Sequence, residues 1–310
     1  MTLPALLQKM LRLPVVAAPM FLVSNPALVI ACCRAGIVGS FPSLNQRTAE
    51  GFEGWLDEIE AALDGKAAPF AVNLIVHHTN DRLETDLDIC VRRKVPIVIT
   101  SFGTRLDVVR RIRDHGGLVF HDVISRRHAE KAIEAGVDGL ILVSAGAGGH
   151  AGSLNPIAFC REIRSFFDGC ILLSGSISDG AGIAAARAMG ADLAYLGTRF
   201  IATAESAAVN GYKEMIEQGR MADIVYTPNV TGVNANFLAA SLIEAGMDPK
   251  APPRPFRPDM SDELDHEHKA WKDIWSAGHG IGMIGDCPPV NELVERLENE
   301  YHETIRQFYS

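Results

Sequence analysis

The sequence lacks the features that identify membrane, nucleic-acid-binding and secreted proteins. It has no apolar run near the ~20 residues that a membrane helix needs. Its 38 acidic residues outnumber its 29 basic ones, so it offers no basic surface to nucleic acid or anionic lipid. The N-terminus does not show the basic start, apolar stretch and cleavage site of a signal peptide. We therefore expect a cytoplasmic protein that has neither nucleic acid nor a membrane as its partner.

The cysteine and histidine spacings that build disulfides or metal sites are also absent. The six cysteines include no C-x-x-C pair, and a chain this long needs no disulfide framework. The neighbouring His77 and His78 would point to opposite faces of a continuing strand, and there is no H-E-x-x-H motif. No metal site is predicted.

Two nucleophiles that other enzymes use are missing as well. No lysine stands at the end of a candidate strand, where a Schiff-base aldolase would place one. No G-x-S-x-G motif provides a serine nucleophile. If the chain is an enzyme, its reactivity is expected to come from a cofactor.

What the sequence does contain is a regular alternation of short apolar runs and longer amphipathic stretches. Continuous apolar strands separated by helices are typical of a parallel sheet that is covered on both faces. Eight such units predict an α/β fold, a closed (β/α)₈ or TIM barrel, in preference to a doubly wound open sheet. The candidate strands are 15–19, 37–41, 70–75, 96–101, 118–123, 139–144, 170–175 and 193–198. Between them lie candidate helices near 25–35, 47–64, 82–94, 105–115, 126–135, 156–167 and 180–189.

The alternation stops after residue 205. The segment 206–277 is predicted to be a smaller, mainly helical subdomain that lids one face of the barrel, with a loop rich in proline and charge at 249–268. Apolar residues return at helical spacing in 289–308, which predicts a C-terminal helix packed on the barrel. The barrel is then built from residues 1–205 plus 278–310.

Functional groups of a TIM barrel lie at the carboxyl ends of its strands. The first strand ends in Ala18, Pro19 and Met20, and the third carries Asn73. The fifth strand carries His121 and Asp122. The sixth strand leads into a glycine-rich loop that contains Ala147, Gly148, Gly149 and His150. We predict that the cofactor and substrate bind among these residues.

The seventh and eighth candidate strands end in turns suited to an anion. Gly175 and Ser176 follow one strand, and Gly197 and Thr198 follow the other. Glycine-rich turns ahead of a helix expose backbone N–H groups, and these two loops are the usual phosphate site of the fold. The alternative is that the glycines only make tight turns. A phosphate-bearing cofactor is the prediction.

His150 is the candidate catalytic residue. A histidine titrates near neutral pH and can accept a proton, and its glycine neighbours leave room for a substrate. The alternative is an ordinary solvent-exposed histidine in a loop.

At this point several stretches resemble the nitronate monooxygenase family, formerly called 2-nitropropane dioxygenases. The matching stretches are APM (18–20), VNL (72–74), GAGGHAG (146–152), LLSGSISDG (172–180), GADLAYLGTRFIATAES (190–206) and IWSAGHGIGMI (274–284). Their order makes the resemblance fairly specific, although residues 206–270 match less clearly.

The resemblance implies FMN bound at the mouth of the barrel and oxidation of alkyl nitronates by O₂ to a carbonyl compound and nitrite. Met20 and Asn73 would lie beside the flavin ring. The glycine-rich loop and the turns at 175–176 and 197–198 would hold the phosphate. His150 would bind the nitro group or remove a proton from the neighbouring carbon. A homodimer is compatible with this reading.

One position departs from part of the family. Some members have a lysine directly after the histidine of the fifth strand, where its positive charge can stabilise anionic reduced flavin. Here that residue is Asp122, which follows His121. The resemblance therefore does not carry a charge-stabilising role over to Asp122.

Two alternative functions remain open at this stage. Relatives that share barrel and flavin act as NAD(P)H-dependent reductases of quinones or of enoyl groups on acyl carrier protein. A barrel that binds a phosphate ligand without redox chemistry is the second alternative, and it would purify without colour.

Overall fold

A single parallel sheet of eight strands closes on itself and forms the centre of the molecule. The computed structural model describes residues 3–253 and 272–308. The sheet order is β1, β9, β8, β6, β5, β4, β3, β2, and all its pairings are parallel. The strands are β1 Val15–Ala17, β2 Ser40–Pro42, β3 Ala71–Ile75, β4 Ile97–Ser101, β5 Leu118–Val123, β6 Gly139–Val143, β8 Cys170–Ser174 and β9 Leu193–Leu196. The predicted TIM barrel is confirmed.

The barrel closes between β1 and the residues just before β2. Val16 and Val38 form a parallel bridge there. The N–H of Ala17 donates to the carbonyl of Val38 at 2.8 Å, and the N–H of Val38 donates to the carbonyl of Val15 at 3.2 Å. Regular pairing with β3 begins only at Ser40, so β2 starts later than the predicted 37–41.

Helices lie at all seven predicted places between the strands, with bounds that differ by a few residues. They are α1 Ala5–Met10, α2 Pro26–Arg34, α3 Ala49–Ala62, α4 Leu83–Arg92, α5 Leu106–Asp114, α6 Arg126–Glu134, α7 Pro156–Arg164, α8 Gly180–Met189, α9 Thr198–Ile201, α10 Asn210–Gln218, α11 Ala239–Glu244 and α12 Val290–Phe308. None of the helices in the described ranges combines the length and apolarity needed to cross a bilayer.

The strands separate two apolar layers because successive side chains point to opposite faces. Val16, Ile99 and Phe120 fill the barrel interior, and Leu7 of α1 joins this group. Val15, Val98 and other alternate residues pack outward against the helices. This alternation decides which side chains at a strand end can face a ligand.

Local chemistry fixes the ends of helices that adjoin the site. The side chain of Ser125 accepts a hydrogen bond from the N–H of His128 at 3.3 Å, and Asp179 accepts one from Gly182 at 2.7 Å. Both residues cap the helix that follows. Gly190 ends α8 with a φ of 106°, a left-handed conformation that glycine adopts without strain.

The segment after the barrel contains strands that were not predicted from the sequence. In addition to α10 and α11 it forms β10 Ile224–Thr227 and β11 Ala235–Leu238, which pair with each other. β11 also pairs with β7 Gly149–His150, in the loop after β6. Each of these strands is too short to give a periodic signal. Of the predicted loop at 249–268, residues 254–268 lie outside the described residues.

The C-terminal helix is confirmed. α12 begins at Val290, directly after two prolines, and packs against α8 and α2. The two side-chain oxygens of Glu205 lie 3.1 and 3.0 Å from the N–H of Val290, so this carboxylate covers the first turn of the helix.

Candidate active site

A cavity of about 280 Å³ lies at the carboxyl ends of the barrel strands. Its volume is near the lower end of the ~300–1,000 Å³ that is usual for small-molecule sites. Strand ends form one wall, and the segment 206–277 provides Tyr212, Ile274 and Ser276 on another. The ring of Tyr212 stacks on that of Trp275 at 5.1 Å, and its hydroxyl donates to the carbonyl of Ser276 at 2.5 Å.

A line of three polar side chains crosses the floor of the cavity on neighbouring strands. The amide nitrogen of Asn73 on β3 donates to the hydroxyl of Ser101 on β4 at 2.9 Å. That hydroxyl donates in turn to Oδ2 of Asp122 on β5 at 2.5 Å. All three residues line the cavity, so the line ends in a carboxyl group that borders the cavity.

Only one of the two carboxyl oxygens of Asp122 has a hydrogen-bond partner in the protein. Part of the residue borders the cavity, but its Oδ1 atom is buried without a hydrogen-bond partner. Burial raises the pKa of Asp122 to about 6, and the hydrogen bond from Ser101 opposes this rise. Of the described residues that line the cavity, none is lysine or arginine. The pKa of Tyr195, which also lines it, is raised well above its usual range by burial and by the charge of Asp122.

His150 lines the same cavity and lies on β7. Its Nε2 atom is 3.1 Å from the hydroxyl of Thr231. The ring of Phe102 meets the imidazole edge-on, with ring centres 5.3 Å apart. Phe102 has a φ of 62°, a strained backbone conformation for a large side chain. The barrel and the segment 206–277 therefore hold the imidazole between them.

Glycines allow three loops to meet beside the cavity. The N–H of Gly278 donates to the hydroxyl of Thr198 at 2.9 Å. A Cβ atom at Gly148 would stand 2.9 Å from the nitrogen of Gly278, and one at Gly278 would stand 2.5 Å from the carbonyl oxygen of Gly146. Real Cβ atoms do not approach this closely, so only glycine permits the contact. The loop of Gly278 was not among the predicted site residues.

The turn at Gly175 and Ser176 lies behind these loops. Neither residue lines the cavity, and the N–H of Ser176 donates to the carbonyl of Gly146 at 3.3 Å. The start of α8 beyond this turn already contacts two carboxylates: Asp179 accepts from Gly182, and Glu300 accepts from Gly180 at 2.8 Å. These two carboxylates accept from the N–H groups of Gly180 and Gly182, and a phosphate contact at Gly175 and Ser176 stays a prediction.

Ten of the fourteen predicted site residues line the cavity and can therefore contact a ligand in it. They are Ala18, Pro19, Met20, Asn73, Asp122, Gly148, Gly149, His150, Gly197 and Thr198. The other four, His121, Ala147, Gly175 and Ser176, do not line it.

His121 faces away from the cavity because Asp122 faces into it. The two nitrogens of its buried ring each lie 2.8 Å from a threonine hydroxyl, of Thr100 and of Thr104. Burial lowers the pKa of His121 to about 4, which favours the neutral imidazole. Ala147 contributes its carbonyl, which accepts from the amide of Asn236 at 2.6 Å.

Several lining residues were not predicted. Ser101, Phe102, Ser174 and Tyr195 stand at strand ends, and the alternation of inward and outward side chains could have identified three of them. Tyr212 gave no signal, because its segment has no periodicity that relates it to the barrel, and the same holds for Thr231, which contacts His150 without lining the cavity. Ser276 lies in the stretch 274–284 that resembles the family, but it was not singled out as a site residue.

Known proteins resemble this chain in sequence and in fold. A family model described as nitronate monooxygenase matches residues 4–300. The nitronate monooxygenase of Paraburkholderia phytofirmans is 28% identical over 95% of this chain and 93% of its own length.

Two solved structures share the whole fold. The nitroalkane oxidase of Streptomyces ansochromogenes is 27% identical, with a TM-score of 0.83 over 99% of this chain and 100% of that one. A mutant of FabK from Thermotoga maritima is 25% identical, with a TM-score of 0.81 over 98% of this chain and 97% of that one.

Proposed function

The chain belongs to the nitronate monooxygenase family, and on this premise we propose that it oxidises alkyl nitronates with O₂ and FMN. The products would be a carbonyl compound and nitrite. The observation that carries the proposal is the meeting of His150, the line from Asn73 to Asp122, and the glycine loops around one cavity.

Two features of the cavity fit FMN. The buried Oδ1 of Asp122 lacks a partner in the protein, as expected where a polar ligand supplies one. The close approach of Gly148, Gly278 and Thr198 leaves backbone and a hydroxyl at the cavity edge, with no bulky side chain between them and a phosphate. Thr198, Gly197 and Gly148 would hold the phosphate, and Met20 and Asn73 would border the ring. FMN, when bound, would accept electrons from the nitronate and pass them to O₂.

The role of His150 follows from its position. A neutral imidazole can remove the proton from the carbon next to a nitro group, which converts a nitroalkane to its nitronate. The resulting imidazolium would lie beside the nitronate anion and hold it by charge. Because no lysine or arginine lines the described cavity, His150 is the cation available there.

The floor has a complementary role. Its hydrogen bonds fix the orientation of the Asn73 amide, and the Ser101 hydroxyl donates to the carboxyl group of Asp122. The overall reaction balances as two nitronate anions and one O₂ giving two carbonyl compounds and two nitrite ions. A proton taken up by His150 from a neutral nitroalkane returns to solvent.

The visible spectrum of the purified protein tests the proposal. A bound flavin that loses its absorbance on anaerobic addition of an alkyl nitronate, and regains it with O₂, supports nitronate oxidation. A flavin that ignores nitronate but is bleached by NAD(P)H indicates the reductase alternative. A protein that stays colourless after FMN is added refutes the flavoenzyme proposal and favours a phosphate-ligand barrel.

All six cysteines are free, and five of them are buried. Free buried thiols are typical of a reducing compartment, and a cytoplasmic location is part of the proposal on that ground. The homodimer stays a prediction.

A further inference from the structure

We propose that Thr231 is a positioning residue for His150, which fixes the proton of the neutral imidazole on Nε2 and leaves Nδ1 as the basic nitrogen. This inference rests on the proposed function, in which His150 acts as a base. Thr231 is a buried residue outside the barrel, in the turn between β10 and β11.

The hydrogen bonds around the Thr231 hydroxyl decide the tautomer. Its oxygen lies 3.2 Å from the carbonyl oxygen of Val233, to which it donates, and 3.4 Å from the backbone N–H of Val233, from which it accepts. A carbonyl oxygen cannot donate, and a hydroxyl has one proton. With that proton directed to Val233, the contact to Nε2 of His150 at 3.1 Å needs a proton on the imidazole.

The opposite tautomer is less favourable in this arrangement. If Nε2 carried the lone pair, Thr231 would have to turn its proton toward the ring. The contact with the Val233 carbonyl would then bring two acceptors together. When His150 is protonated on both nitrogens, the first arrangement persists unchanged. Thr231 therefore accepts from the imidazole before and after proton transfer, as the orienting partner of a catalytic base does.

The backbone around His150 is fixed by the same part of the chain. His150 is in register with Ala235 of β11, and the N–H of Ala151 donates to the carbonyl of Asn234 at 3.3 Å. The hydroxyl of Tyr226 on β10 donates to the carbonyl of Ala151 at 2.9 Å. These contacts bring the ring to Thr231, so backbone and hydroxyl act together.

Two substitutions at Thr231 separate the hydroxyl from the shape of the side chain. Thr231→Val keeps the branched shape and removes the hydroxyl, whereas Thr231→Ser keeps the hydroxyl. Thr203→Val is the matched control. It removes a buried threonine hydroxyl that donates to the carbonyl of Phe200 at 2.8 Å, and no hydrogen bond links it to His150.

The first measurement is the ¹⁵N spectrum of histidine-labelled holoenzyme, with the His150 signals identified by their loss in His150→Asn. At a pH where the imidazole is neutral, the wild type, Thr231→Ser and Thr203→Val should show His150 with its proton on Nε2. Thr231→Val should show a mixture of tautomers or the opposite one. A wild-type proton on Nδ1, or an unchanged tautomer in Thr231→Val, overturns the proposal.

The second measurement compares a neutral nitroalkane with its preformed nitronate. Thr231→Val should lower kcat for the nitroalkane about tenfold or more, because a misplaced proton disables the base. The loss with the nitronate should be smaller, KM should change little, and Thr231→Ser should restore kcat. Equal losses with both substrates would show a structural role only. If the wild type oxidises neither substrate, the proposed function fails, and the ¹⁵N spectrum still decides the role of Thr231.

Discussion

Replacing Asp122 with asparagine should make the stability of the apoprotein less dependent on pH. In the folded protein, burial raises the pKa of Asp122 from an ordinary 3.8 to about 6. The folded state therefore binds this proton more tightly than the unfolded state does. For such an acid, stability is greatest below pH 4 and falls as pH rises through 6, because ionisation is easier in the unfolded chain.

The size of the effect follows from the difference between the two pKa values. About two pKa units at 1.36 kcal/mol each give a loss of roughly 3 kcal/mol for the wild type by pH 8. This is an upper limit because the residue borders the cavity and solvent can enter it. Roughly half of the loss falls between pH 5 and pH 8, where the protein can be handled. Asparagine has no carboxyl group to ionise and avoids the loss.

Urea unfolding of both proteins between pH 5 and pH 8 measures this difference. The stability of Asp122→Asn relative to the wild type should increase between pH 5 and about pH 7 and then level off, whatever constant offset the amide adds. Ser101→Ala should steepen the pH dependence, because it removes the hydrogen bond that lowers the pKa of Asp122. Parallel curves for Asp122→Asn and the wild type would refute the reasoning.

The remaining predictions concern the base, the loops and the C-terminal helix. His150→Asn should keep FMN but lose ~10²–10⁴-fold in turnover of neutral nitroalkanes, and unchanged turnover would exclude it as the base. Gly148→Ala should purify without FMN, because its Cβ would stand 2.9 Å from the neighbouring loop. The control Gly54→Ala, whose Cβ would have no other atom within 4 Å, should keep the yellow colour of the flavin. A yellow Gly148→Ala protein would contradict the role of the loop. Glu205→Ala should lower the free energy of unfolding by about 1 kcal/mol in urea, since the N–H of Val290 loses its acceptor; no change would show that water replaces it.

The barrel was predictable because each of its strands carries its own signal. β5 was predicted to the residue at 118–123, since the turn before it ends α5 and the turn after it leads into the Ser125 cap that starts α6. β2 was displaced by three residues at its start, because the chain there first bridges β1 through Val38 and only later pairs with β3. That difference depends on closure of the sheet, which no local pattern records.

The floor of the site was predictable in part. Both Asn73 and Asp122 were identified from their places on the strands, but so was His121, the neighbour of Asp122. Phe120 packs inside the barrel, and strict alternation then turns Asp122 inward and His121 outward. The sequence contains that information once one interior residue of the strand is known. Ser101 follows in the same way from Ile99.

The setting of His150 could not be predicted, because it depends on pairing between residues far apart in sequence. The sequence of the glycine-rich loop identifies His150 as a candidate, but pairing with β11 and the contact with Thr231 fix the position of its imidazole. These residues belong to the part of the chain, 206–270, that resembles the family least clearly. Chains with the same glycine-rich loop and a different segment here would hold the imidazole differently. Differences in proton abstraction between relatives should therefore follow this segment more closely than they follow the loop that carries the histidine.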